Sequence, residues 1–120
     1  MSRLPFWIAA LLVALPAAVG AQTPSATAAE PSAERRTQLI RMVRQDCGSC
    51  HGIQLTGGLG PALTRQAMAE IPFDSLFSVI YHGRPGTPMP GWKTMISEQD
   101  ASWIARQLQL GFPLDSTVNR

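Results

Sequence analysis

Cys47-Gly48-Ser49-Cys50-His51 is the stretch from which the rest of the chain is read. Two thiols separated by two residues can add across the two vinyl groups of one porphyrin. The next residue, His51, then brings its imidazole to the iron as proximal ligand. A C-x-x-C pair alone also fits half a zinc site or a redox dithiol. Zinc needs four ligands, and the 120-residue chain has no other cysteine and one other histidine, His82. A redox dithiol of the thioredoxin kind wants a βαβ context that is missing here. One covalent haem c is therefore the expected cofactor, with thioether links at Cys47 and Cys50 and His51 on the metal.

The N-terminus agrees with that reading. Met1-Ser2-Arg3 is a short basic start, Leu4 to Val19 is almost wholly apolar, and Val19-Gly20-Ala21 supplies small or tolerated residues before a cut. Residues 1–21 are expected to be a secretory signal peptide. Attachment of haem to such a motif is completed outside the cytoplasm in bacteria, so the expected location is the periplasm. The competing reading is a retained anchor. The apolar run is short for a span of about 20 residues and is interrupted by Pro5 and Pro16. Cleavage without stable membrane insertion is expected, and no cysteine stands at the cut to carry a lipid.

Residues 22–33 are a low-complexity stretch and are expected to be a flexible spacer. One domain is expected over residues 34–112, with a tail at 113–120. The formal net charge is +2, and nine of the ten basic residues and all eight acids lie beyond residue 21. Two haem propionates would leave the loaded domain near neutral, so no nucleic-acid partner is expected. Arg35, Arg36, Arg41 and Arg44 cluster locally and are expected on a solvated helix face.

Hydrophobic spacing predicts an all-α domain with long loops. A first helix is expected from about Ala33 to Asp46, capped by Ser32, with Leu39, Ile40, Val43 and Cys47 on one face. The haem motif sits at its end. The Gly-rich stretch from Gly52 to Gly60 must pass close to something flat and bulky. A short helix is expected after Thr64, and a firmer one from Phe73 to His82, with Leu76, Val79 and Ile80 inward and Gly83 as stop. Residues 84–92 hold three prolines and two glycines and cannot be regular. A last helix opens at Ser97 with Asp100 as a capping-box partner, buries Ala101, Ile104, Ala105 and Leu108, and ends at Gly111 and Pro113.

What fills the second axial position decides the chemistry. A thioether favours the ferrous state and raises the potential. Met42 is one turn before the motif, on the same side as His51, and Met68 is expected in packing or exposed. Met89 stands between Pro88 and Pro90, a stiff frame for a side chain that is otherwise flexible. Met89 is the expected ligand, with His82, Met95 and an open site as the competing readings. His82 directly precedes Gly83 and fits a helix-end role, where its charged form is favoured. Tyr81 reads as helix surface or core before it reads as a redox relay.

The Cys47–His51 motif, Gly60-Pro61-Ala62-Leu63, the helix before Gly83, the Met89-Pro90 pair and the closing helix together resemble a class I cytochrome c. The resemblance covers about residues 34–110. It implies a small fold of three to five helices in which the N- and C-terminal helices meet, here through Leu39, Ile40 and Val43 against Ile104, Leu108 and Trp103. It also implies that the Pro61 carbonyl accepts the Nδ1–H of His51. Leu55 to Thr64 and His82 to Pro90 are further similar to the c55X group of periplasmic monohaem cytochromes of denitrifying bacteria. Arg84 and Trp92 flank the Met89 loop, where side chains can reach a haem propionate.

That resemblance implies a monomeric one-electron carrier rather than an enzyme. Its expected acceptor is cytochrome cd1 nitrite reductase, and its expected donor is a quinol-oxidising system or another carrier. Docking would be brief, through an interface below about 1,200 Å². Two other roles remain open from the sequence: an accessory in haem d1 maturation of nitrite reductase, and a ligand-binding haem protein with an open sixth site.

Overall fold

The structure, a computed structural model, describes residues 30–113. The expected signal peptide, most of the expected spacer and all but the first residue of the tail lie outside these residues. Among the described residues every regular element is helical.

Helix α1 spans Ala33–Met42, and its first turn is capped by Ser32, whose hydroxyl accepts from the Arg35 amide at 3.1 Å. Where the spacing predicts one helix ending near Asp46, the chain continues without a break. A π-helical turn, Val43–Cys47, leads into a last short α-turn, α2, Gly48–His51. The amide of Gly48 donates to the Val43 carbonyl, five residues back, so the helix carries one extra residue just before the motif. Gly52, at φ 88°, ends it. The Leu39–Val43 face is placed as expected, and beyond it the register slips.

Helix α3 (Arg65–Ala69) is capped by the Thr64 hydroxyl, and α4 (Phe73–His82) stops at Gly83, φ 81°. Helix α5 (Glu98–Leu110) has a complete capping box: the Ser97 hydroxyl accepts from the Asp100 amide, and the Asp100 carboxylate accepts from the Ser97 amide.

One cluster forms the core. Leu39 and Val43 from the first helical segment join Leu76 and Ile80 of α4 and Trp103, Ile104 and Leu108 of α5. Helix α5 packs against both α3 and α4. Met68 is 3% exposed and belongs to this core, as do Leu55, Ile96 and Phe112, which no periodicity marks.

The solvated-face expectation for the arginines holds for Arg36 and Arg41 and fails for Arg35 and Arg44, which are partly buried. Arg35 reaches across to α5 and donates to Asp100, with Nη2 at 2.7 Å from Oδ2 and Nε at 3.3 Å from Oδ1. Burial by itself would raise the Asp100 carboxyl, but Arg35 and the Ser97 amide and hydroxyl hold it below the usual carboxylate range. Trp103 donates to Glu30 at 3.0 Å, tying the segment before α1 to the same helix.

Candidate functional site

Two structural units carry the residues that the sequence singles out. The first is built on α2. Cys47 ends the π turn, while Cys50 and His51 close the helix. The chain then folds back beneath His51. Gly57 donates to the His51 carbonyl and Gly60 to the Cys50 carbonyl, each at 2.8 Å, so two of the helix's terminal acceptors are satisfied by the Gly-rich loop. Close approach explains the glycines: a Cβ on Gly58 would lie 2.8 Å from the Cys50 carbonyl oxygen.

The loop brings Pro61 to the imidazole. His51 Nδ1 lies 2.7 Å from the Pro61 carbonyl oxygen. A carbonyl can only accept, so Nδ1 carries the proton and donates, and the lone pair of Nε2 is left for a metal. The same bond fixes the ring's orientation and makes it a better donor. The flat group expected against the Gly-rich loop is, at Gly60, this imidazole ring.

No disulfide joins Cys47 and Cys50; Cys47 is partly buried and Cys50 is exposed. Burial, with Asp46 beside it, pushes the Cys47 thiol up to about 11. Before any thioether forms, Cys47 is therefore a neutral thiol at physiological pH. The Ser49 hydroxyl donates to the Asp46 carbonyl at 2.7 Å and holds the turn between the two sulfurs.

The second unit is the loop after α4. Arg84-Pro85-Gly86-Thr87 is a turn closed by Thr87 N donating to the Arg84 carbonyl at 3.1 Å, with Gly86 at φ 77° following Pro85, a type II pattern. Met89 sits in this loop, partly buried, and Arg84 is exposed. Trp92 follows, with its indole Nε1 buried and without a hydrogen-bond partner. His82 is exposed at the end of α4, its ring edge-on to Tyr81 at 5.0 Å between centroids. Tyr81 in turn stacks on Phe77 at 5.5 Å. Of the other methionines, Met95 is 64% exposed, Met68 is core, and Met42 packs against the core before the motif.

This donor set fits one haem c. It offers two thiols on one turn, an imidazole with Nε2 free, a thioether in a constrained loop, and a buried indole N–H in want of an acceptor such as a propionate. Cys47, Cys50, His51 and Pro61 are gathered into one unit; Met89, Arg84 and Trp92 are gathered into the other. The sequence reading missed Thr87, whose hydroxyl donates to the Arg84 carbonyl at 2.7 Å and accepts from the Met89 amide at 3.3 Å. Its position two residues before Met89 was the available signal.

Comparison with known proteins agrees with the geometry. The family described as cytochrome c oxidase, cbb3-type, subunit III matches residues 21–106. The cytochrome c55X of Stutzerimonas stutzeri is 54% identical over 90 residues, which are 75% of this chain and 80% of that protein. Among solved structures, the c-type cytochrome NirC is similar with a TM-score of 0.65 and 50% identity, covering 67% of this chain and 94% of that one. The dihydro-heme d1 dehydrogenase NirN, solved in complex with DHE, is similar with a TM-score of 0.56 and 30% identity, over 64% of this chain and 17% of that enzyme.

Proposed function

The chain belongs to the c-type cytochromes, in the family of the cbb3-type oxidase subunit III and alongside the cytochromes c55X, and from that membership we propose that it is a periplasmic one-electron carrier of denitrification. It carries one covalent haem c and delivers electrons to cytochrome cd1 nitrite reductase, receiving them from a quinol-oxidising system or another carrier. Residues 1–21 direct export and are removed, and the mature protein works as a monomer. The relatives at 46–54% identity, matched over 80–83% of their length, favour this reading over a subunit of an oxidase.

When bound, the haem supplies a metal that takes up and returns a single electron. The chain's own residues do the rest. Cys47 and Cys50 tether the porphyrin by thioethers. His51 offers Nε2 because Pro61 holds the proton on Nδ1. Met89 would offer its thioether from the loop, and the Trp92 indole and the Arg84 guanidinium would donate to the haem propionates. None of these groups makes or breaks a bond during transfer, which is what a carrier with little reorganisation needs.

The observation that carries the proposal is the 2.7 Å contact between His51 Nδ1 and the Pro61 carbonyl, because it presets the imidazole for a metal within the one turn that also holds both thiols. The first test is the mass of the exported protein, which should exceed that of the polypeptide by one haem. The second is stopped-flow mixing of the reduced protein with purified nitrite reductase. Fast oxidation that supports nitrite turnover is expected.

A second reading has an observation of its own. The likeness to part of a dihydro-heme d1 dehydrogenase favours an accessory role in maturation of the d1 haem of nitrite reductase. It predicts a specific complex with reductase lacking that haem and poor support of steady-state nitrite reduction. A reductase that stays oxidised in the stopped-flow mixture would move the weight to this role.

A further inference from the structure

Between α4 and α5 the chain leaves one point and returns to it. Trp92 N donates to the Ile80 carbonyl and Lys93 N to the Tyr81 carbonyl, each at 3.1 Å, so the exit of the loop satisfies two terminal acceptors of α4. At that base Gly83 and Gly91 meet face to face. A Cβ on Gly83 would lie 2.5 Å from the Gly91 nitrogen, and one on Gly91 would lie 2.6 Å from both the carbonyl carbon and the oxygen of His82. Only hydrogens fit between the two segments of the loop.

Inside the loop both backbone groups of Met89 are engaged. Its carbonyl accepts from Arg84 N at 3.1 Å, and its amide donates to Thr87 Oγ1 at 3.3 Å, while that hydroxyl donates to the Arg84 carbonyl at 2.7 Å. Pro88 and Pro90 on either side have fixed φ and no N–H to offer. A methionine side chain has three rotatable bonds and little preference of its own, so any fixed direction must come from its backbone. Here that backbone has no free group left.

We propose that residues 83–91 are a closed clasp in which the Thr87 hydroxyl and the Gly83–Gly91 contact position the Met89 thioether and keep the sixth site shut against small ligands. This rests on the reading of Met89 as axial ligand, and it adds two positioning elements outside the donor set. Thr87 is exposed, and its hydroxyl bonds run to the Met89 amide and the Arg84 carbonyl, so its effect on the metal passes through the Met89 backbone.

The test uses the haem-loaded protein and four variants: Thr87→Val, Thr87→Ser, Gly91→Ala and Met89→Ala. Two signals are read, the weak absorption of the sulfur–ferric iron pair at the red end of the spectrum and the rate of carbon monoxide binding to the ferrous protein. Thr87→Val loses both hydrogen bonds and should weaken the absorption and speed carbon monoxide binding about five- to tenfold. Thr87→Ser keeps both bonds and should match wild type. Gly91→Ala should exceed Thr87→Val; if it does not assemble with haem, the surface Thr87 pair decides alone.

Met89→Ala separates the two levels. If it retains the absorption, Met89 is not the ligand and the reading beneath the proposal fails. If it loses the absorption while Thr87→Val behaves as wild type, the ligand stands and the clasp is overturned. A serine variant indistinguishable from valine would overturn it as well.

Discussion

A methyl group on the α-carbon of Gly60 would sit 2.8 Å from Cε1 and 2.9 Å from Nδ1 of His51, so the imidazole rests directly on bare backbone. Gly60 also precedes Pro61, whose carbonyl accepts the Nδ1 proton at 2.7 Å. Support and hydrogen bond therefore come from adjacent residues. Gly60→Ala should force the ring to tilt or the loop to retreat, at a cost of about 1–3 kcal/mol. The expected outcome is a lower Tm and a shifted reduction potential, read by thermal melting and redox titration. A variant equal to wild type in both would show that the ring does not depend on this contact.

Trp92→Phe removes one N–H and little volume. If Nε1 donates to a propionate, that donor offsets part of a negative charge close to the metal. Its loss should then favour the ferric state and lower the potential. Only the part of that bond that differs between the two oxidation states moves the potential. A hydrogen bond of about 0.5–1.5 kcal/mol therefore caps the fall at about 20–60 mV for one electron. Redox titration at neutral pH measures it, and an unchanged potential would place the propionates elsewhere.

The Arg35–Asp100 pair gives stability a pH dependence of known sign. The Asp100 carboxyl is held below its ordinary value, so its contribution is complete above about pH 4 and is lost as pH falls through the lower, folded-state value. Arg35 is 37% exposed at its side chain, which limits the pair to about 1 kcal/mol. Asp100→Asn should therefore lower the Tm at pH 7 and approach wild type once the pH falls below the folded-state value of the Asp100 carboxyl. A deficit that is independent of pH would show that the charge on Asp100 stabilises neither the ion pair nor the cap.

Before haem attachment the two thiols should react unequally. With its pKa pushed up to about 11, Cys47 is overwhelmingly protonated at pH 8, whereas Cys50 is open to solvent. Iodoacetamide treatment of haem-free protein followed by peptide mass analysis should find Cys50 modified first, with Cys47 catching up as pH approaches 11. Equal rates at pH 8 would mean that the π turn does not shelter Cys47.

Local rules account for much of the fold. Ser32, Thr64 and Ser97 each cap the helix that follows them, Gly83 and Gly111 stand where α4 and α5 stop, and Leu76, Ile80, Ile104 and Leu108 are buried as their spacing requires. Such signals act within a turn or two, so a linear reading reaches them. The π turn at Val43–Cys47 was not legible, because a helical wheel assumes a constant rise and one extra residue leaves no mark in composition. Leu55 and Phe112 were missed for a related reason: they lie in loops and are buried by what folds over them.

By itself, the order of residues determined the chemistry on offer: two thiols and an imidazole in five positions, and a methionine framed by prolines. Covalent spacing and fixed proline torsions are local properties and need no partner. Only the tertiary structure decided which atoms those groups present. It put the Pro61 carbonyl on Nδ1 and bare backbone under the ring, closed Gly83 against Gly91, buried the Trp92 indole, and took Arg35 from solvent to Asp100. Each of these is a contact between segments far apart in the chain or folded back on themselves, settled by packing rather than by neighbours in sequence.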